Sequence, residues 1–146
     1  MQKAPILLER KILYHAAGMQ IRAGKQNQMR IQDKMTISFD FDNTLSRPEI
    51  QQIARELKSK GHRILIITNR ESRKSNSDLY KVAQSLGIKD HHIWFCEMLG
   101  KDRFIRPGMQ IDYHIDDDLI ERDLIEMNCD VKCLDSFDLD LRSKIL

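Results

Sequence analysis

Apolar and polar positions alternate between two rhythms along this chain. Five short runs are nearly continuous in apolar residues: Met35 to Phe41, Arg63 to Thr68, His92 to Cys96, Gln110 to Ile115 and Val131 to Leu134. The second, Ile64-Leu65-Ile66-Ile67, is the pattern of a strand buried on both faces. Between these runs the apolar residues recur at helical spacing. Ile50, Ile53, Ala54 and Leu57 form one such set, Leu79, Val82, Ala83 and Leu86 a second, and Ile120, Leu124 and Met127 a third. Ser46 reads as the cap of the first helix, with Pro48 in its first turn and Glu49 three residues beyond the cap. Gly61 and Gly87 close the first two helices. Residues 100–107 read as a loop or short helix, and a weak helix ends the chain. Strands alternating with helices predict an α/β fold: a three-layer, doubly wound, Rossmann-like parallel sheet of about five strands over residues 35–146.

Composition changes this picture little. The chain has 146 residues, 41% hydrophobic and 32% charged, which suits one globular domain. No apolar run approaches the roughly 18–20 residues of a membrane helix, and no signal-peptide pattern opens the chain, so no membrane partner is expected. Three Cys without a CxxC motif read as ordinary thiols of a reducing compartment, which makes the expected location cytoplasmic.

Charge adds a second segment. Residues 1–34 carry seven bases against Glu9 and Asp33, a net +5 within a chain whose total is +2. They read as a basic leader, with Ile6, Leu7, Arg10, Lys11, Leu13 and Tyr14 suited to a short amphipathic helix after Pro5. Two readings stand for it: an arm that grips nucleic-acid phosphates, and a poorly ordered extension ahead of Met35.

Candidate chemistry clusters where the strands end. Asp40 and Asp42 close the first run, and an i, i+2 spacing on extended chain sends both side chains to one side. Two acids there repel and lose solvation unless a cation or a proton intervenes. Thr68 closes the second run, followed by Asn69 and Arg70 as candidate contacts to a substrate anion. Asp116 and Asp117 close the fourth, with Asp118 an alternative second acid, and Lys101 precedes it. Ligands of doubly wound folds bind beyond the carboxyl ends of the strands, so these residues converge on one edge. Carboxylates with a hydroxyl and an ammonium suit Mg²⁺ and a phosphate. Each residue alone has a plainer reading as a turn former, a helix cap or a surface lysine. His114 reads as a satisfied buried histidine.

Four segments in order resemble the motifs of the haloacid dehalogenase (HAD) superfamily of phosphohydrolases. Asp40-Phe41-Asp42-Asn43-Thr44 is similar to the first motif, DxDx[TV], and Thr68 after its apolar strand to the second. Lys101, with Lys89 as an alternative, falls where the third motif's lysine is expected, and Ile115-Asp116-Asp117 resembles the fourth. The resemblance implies an aspartyl-phosphate mechanism with Asp40 as nucleophile and Asp42 as general acid and base. It implies Mg²⁺ held by Asp40, the backbone carbonyl of Asp42, Asp116 and Asp117, with Thr68 and Lys101 on the phosphoryl oxygens. The intervals between motifs leave no room for a cap domain, so an open site is expected, and a second subunit is one substitute for the lid. The implied function is hydrolysis of a small phosphorylated metabolite or nucleotide. The alternatives are a polynucleotide end phosphatase gripping through the basic leader, a nucleic-acid-binding protein with a degenerate domain, and a receiver-type phosphoacceptor.

Overall fold

A computed structural model of the chain describes residues 34–146. The expectations for the basic leader therefore lie outside the described residues, its last residue apart. Five strands form the sheet: β1 (Thr36–Phe39), β2 (Arg63–Thr68), β3 (Ile93–Phe95), β4 (Tyr113–Asp116) and β5 (Lys132–Asp135). Their order is β3-β2-β1-β4-β5, and every neighbouring pair is parallel. Parallel neighbours need crossovers, and helices supply most of them. Helix α1 (Pro48–Ser59) joins β1 to β2, α2 (Ser77–Leu86) joins β2 to β3, and α3 (Leu119–Asn128) joins β4 to β5. A short helix, α4 (Leu141–Ile145), follows β5. The β3–β4 connection has only two short 3₁₀ turns, Lys101–Arg103 and Pro107–Met109.

Strand periodicity sorts the core into two layers. Ile37, Phe39, Ile64, Ile66 and Ile115 pack against the apolar faces of α1, α2 and α4. Leu65 and Ile67 pack on the opposite face, with Ile125 of α3 and with Ile105 and Ile111 of the β3–β4 connection. Helices on both faces of a parallel sheet give a Rossmann-like arrangement. The chain builds outward from β1 to β3, then returns to lay β4 on the other side of β1. The crevice between β1 and β4 is therefore the topological switch point, where doubly wound sheets bind ligands. A receiver domain has the order 2-1-3-4-5 instead, so the strand order argues against that alternative.

Two motif intervals are short, as expected. From Thr44 to Thr68 the chain forms only α1 and β2, and from Thr68 to Lys101 only a loop, α2, a 3₁₀ turn and β3. No inserted domain lies among the described residues, and none of their helices is long and apolar enough to cross a membrane.

Three local expectations need correction. Strand β1 ends at Phe39, and Phe41–Leu45 forms a tight turn in which Asn43 takes φ 60°, a left-handed conformation that Asn tolerates better than most residues. The cap position of α1 is Arg47 rather than Ser46; the Ser46 hydroxyl accepts from the Asn43 N–H and closes the preceding turn. The face of α3 is also displaced. Ile120 and Met127 are 69% and 75% exposed, whereas Ile125 is fully buried. Polar residues turn the helix: Glu121 reaches the Lys101 N–H and the Asn69 amide, and Arg122 donates to the Asp116 carbonyl. Ile125→Ala should therefore cost about 2–5 kcal/mol, whereas Met127→Gln should stay within about 0.5 kcal/mol. Urea denaturation of both variants checks the assignment; the reverse ranking would restore the face that spacing predicts.

Candidate active site

The site begins where β1 and β4 end side by side. Phe39 pairs with Ile115 in register, and the Asp40 N–H donates to the Ile115 carbonyl at 2.9 Å. This brings Asp40 beside Asp116, the last residue of β4. Oxygens of Asp40, Asp116 and Asp117 all lie within 4.8 Å of one another. Lys101 arrives from the β3–β4 connection, its Nζ 3.1 Å from Asp40 Oδ1 and 2.9 Å from Asp116 Oδ2. All three of these side chains are buried. Lys89, the alternative third-motif lysine, is exposed.

Behind the carboxylates lies a polar chain that sequence patterning did not assign. Ser38 and His114 face each other in register on the α3 side of the sheet. His114 Nε2 lies 2.9 Å from Asp116 Oδ2, and Nδ1 lies 2.7 Å from Ser38 Oγ. A carboxylate only accepts, so Nε2 carries the proton and Nδ1 accepts from the serine. Asp116 is thus fixed by His114 and Lys101, and by the Asp118 N–H donating to Oδ1. The only sequence signal was a polar residue inside each of two buried strands; register, which makes them partners, is not readable from one chain.

The other predicted residues fall in distinct places. Asp117 joins the carboxylate group and accepts from Thr44 Oγ1 at 3.5 Å. Asp118 instead caps α3, accepting from the N–H groups of Ile120 and Glu121. The buried Thr68 hydroxyl accepts from the Arg70 N–H and keeps its own proton to donate. Asn69 acts as a pin: its amide donates to Glu121 and accepts from the Gly100 N–H. The Asp42 carboxylate stands outside the group of three and pairs with Arg70 at 2.7 Å. The turn that follows β1 breaks the extended geometry that would have set Asp40 and Asp42 side by side.

Electrostatics distinguishes the two carboxylates that share Lys101. Burial raises Asp40 to about 8; Lys101 pulls the other way and the Asp116 charge adds to the rise. Burial also opposes the Asp116 charge, but hydrogen bonds from His114 and Lys101 hold that group down at about 2. Burial opposes the charge on Lys101 too, yet Asp40 and Asp116 keep it well above its usual range. Without a cation, burial and the Asp116 charge favour the protonated form of Asp40 over that of Asp116. The donors are all hard oxygens, Asp40 and Asp116 buried and Asp117 partly exposed, and three carboxylates share one ammonium, which fits Mg²⁺.

A pH dependence follows. Folded Asp40 retains a proton that the unfolded chain has already lost, so rising pH favours unfolding until pH passes about 8. His114 is held below its usual value by burial, and its contribution runs the opposite way, but only below pH about 6.5. Asp116 is depressed, and its contribution is complete above pH about 4. Between pH 6.5 and 8 the metal-free protein should lose more than about 1 kcal/mol of stability. Thermal unfolding in chelator at the two pH values tests this. Added Mg²⁺ should raise Tm more at pH 8, and Asp40→Asn should flatten the dependence; a wild-type Tm that rises across this window would contradict the assignment.

No family model, no curated protein and no solved structure matches the chain.

Proposed function

We propose that this protein is a Mg²⁺-dependent phosphomonoesterase of the HAD type, without a cap, working through an aspartyl-phosphate. The observation that carries this reading is the buried Lys101 ammonium shared by Asp40 and Asp116 at the switch point of the sheet. An ammonium, three carboxylates and the Thr68 hydroxyl gathered at one strand edge match the needs of phosphoryl transfer, which are positioning and charge neutralisation.

Asp40, Asp116 and Asp117 would hold Mg²⁺, which when bound neutralises charge on the phosphoryl group and keeps Asp40 ionised. Asp40 Oδ attacks phosphorus, the ester P–O bond breaks, and a carboxyl-phosphate forms. Asp42 gives its proton to the leaving oxygen, then takes one from the water whose attack on phosphorus releases phosphate and restores Asp40. Lys101 and Thr68 donate to the phosphoryl oxygens. His114 and Ser38 keep Asp116 in one orientation. The substrate class is a phosphomonoester of a small metabolite or nucleotide.

Phosphate release across nucleotides, sugar phosphates and 3′-phosphorylated oligonucleotides tests this. The expected result is hydrolysis of some monoesters with Mg²⁺ and none in chelator. Equal release in chelator, or none from any ester, would overturn the reading. Preference for the oligonucleotide would favour the end-phosphatase alternative.

A further inference from the structure

Arg70 is more fully engaged than a substrate-binding arginine waiting for a ligand. Its Nε donates to Asp42 Oδ2 at 3.0 Å and its Nη2 to Asp42 Oδ1 at 2.7 Å. Nη1 donates to Asp78 Oδ1 at 2.7 Å and Asn76 Oδ1 at 3.3 Å, and Nη2 also donates to Asp78 Oδ2 at 2.9 Å. A guanidinium has five N–H donors, so all are taken. One cation is shared between two carboxylates, and both oxygens of Asp42 are held at the rim. Asp42 in this arrangement is occupied by Arg70 and lies outside the group of Asp40, Asp116 and Asp117.

We propose that Arg70 is a latch that selects substrates bearing a second anionic group: that anion takes the place of Asp42 on the guanidinium and frees Asp42 for proton transfer. The inference rests on the phosphomonoesterase reading. Three observations carry it. First, with every donor used, an anion can bind Arg70 only by exchange, and adding a third negative charge favours departure of one already there. Second, the exchange has a fixed base and a loose partner. The guanidinium lies 5.0 Å from the centroid of the buried Phe41 ring and against the buried Asn76. The side chain of Arg70 is 22% exposed, whereas those of its partners Asp42 and Asp78 are 56% and 62% exposed, and of the two only Asp78 has a further anchor, accepting from the Leu79 N–H. Asn76 is itself tied to the carbonyls of Glu71, Ser72 and Lys74. Exposed ion pairs hold weakly, and the planar fork fits a phosphate or carboxylate as well as it fits Asp42. Third, Arg70 pairs with Asp42 and Asp78 whereas Lys101 pairs with Asp40 and Asp116, so the two cations serve different carboxylates. The Arg70 charge is therefore offered to the remainder of the substrate.

The test compares 3-phosphoglycerate with glycerol 3-phosphate, which lacks the carboxylate, and fructose 1,6-bisphosphate with fructose 6-phosphate. The second pair asks whether phosphate also serves as the second anion. Wild-type kcat/KM should favour the doubly anionic member of at least one pair by tenfold or more. Arg70→Ala should bring that ratio near one, and Arg70→Lys, which keeps charge but not the fork, should retain part of it. Ratios equal in wild type and both variants would overturn the proposal. Calorimetric binding of the same ligands to Asp40→Asn, with and without Arg70→Ala, separates this inference from the one beneath it. Binding that weakens at least tenfold with the second substitution, in a protein that hydrolyses none of the esters, sinks the phosphatase reading and leaves anion capture by Arg70 in place. Hydrolysis with no preference sinks the latch alone.

Discussion

Asp40→Asn should lower Mg²⁺-dependent phosphate release by at least about 10³-fold, on the scale of losses at other covalent nucleophiles. The amide has nearly the shape of the carboxyl, and in the metal-free protein burial favours the uncharged form of Asp40. The substitution therefore leaves the packing intact, and Lys101 retains Asp116 as its partner. What disappears is the oxygen nucleophile that attacks phosphorus, together with a negative ligand for the cation. The variant should melt at or above the wild-type temperature in chelator while showing no turnover. Steady-state phosphate release by folded, purified variant is the measurement. A rate within tenfold of wild type would remove Asp40 from the chemistry.

Lys101→Met should be damaging in two separable ways. Lys101 is 2% exposed and is the ammonium between two buried carboxylates. Removing one partner from a buried ion cluster typically costs about 3–5 kcal/mol, because the remaining charge is left uncompensated. Burial already favours the uncharged form of Asp40, which offsets part of that cost, so the lower end is expected in chelator. Mg²⁺ should restore much of the stability by neutralising the same carboxylates. It should not restore turnover, which loses a donor to the phosphoryl group worth about 10²–10³-fold by comparison with other charge-stabilising donors. Lys89→Ala, at an exposed position, should change stability by no more than about 0.5 kcal/mol and leave turnover alone. Chemical denaturation and turnover of both variants, each with and without Mg²⁺, give the comparison. Equal, small effects would return Lys101 to the status of an ordinary lysine.

Much of this arrangement was legible because burial writes itself into sequence. The run Ile64-Leu65-Ile66-Ile67 is apolar on both faces since helices cover both faces of β2, and its ends were read to the residue, Arg63–Thr68. Asp40, Thr68, Lys101 and Asp116 were placed from their positions at or between strand ends. Other features depended on tertiary partners that one chain does not reveal. The α3 face was misread because Glu121 and Arg122 look like solvent-facing charges until Lys101, Asn69 and the Asp116 carbonyl are in position. Ser38 and His114 acquired a role only from the register of β1 on β4. Asp42 was expected beside Asp40, but the turn that begins at Phe41 and the Arg70 fork hold its carboxylate elsewhere.

The central claim is a phosphoryl group carried covalently on Asp40. The direct measurement is mass spectrometry of peptides from the protein quenched in acid during turnover of a hydrolysed monoester with Mg²⁺. The expected result is that the peptide containing Asp40 gains the mass of one phosphoryl group, that the adduct is lost at alkaline pH as an acyl phosphate should be, and that Asp40→Asn does not form it. A phosphoryl group trapped on another residue, with that residue's substitution abolishing turnover and Asp40→Asn sparing it, would contradict the account.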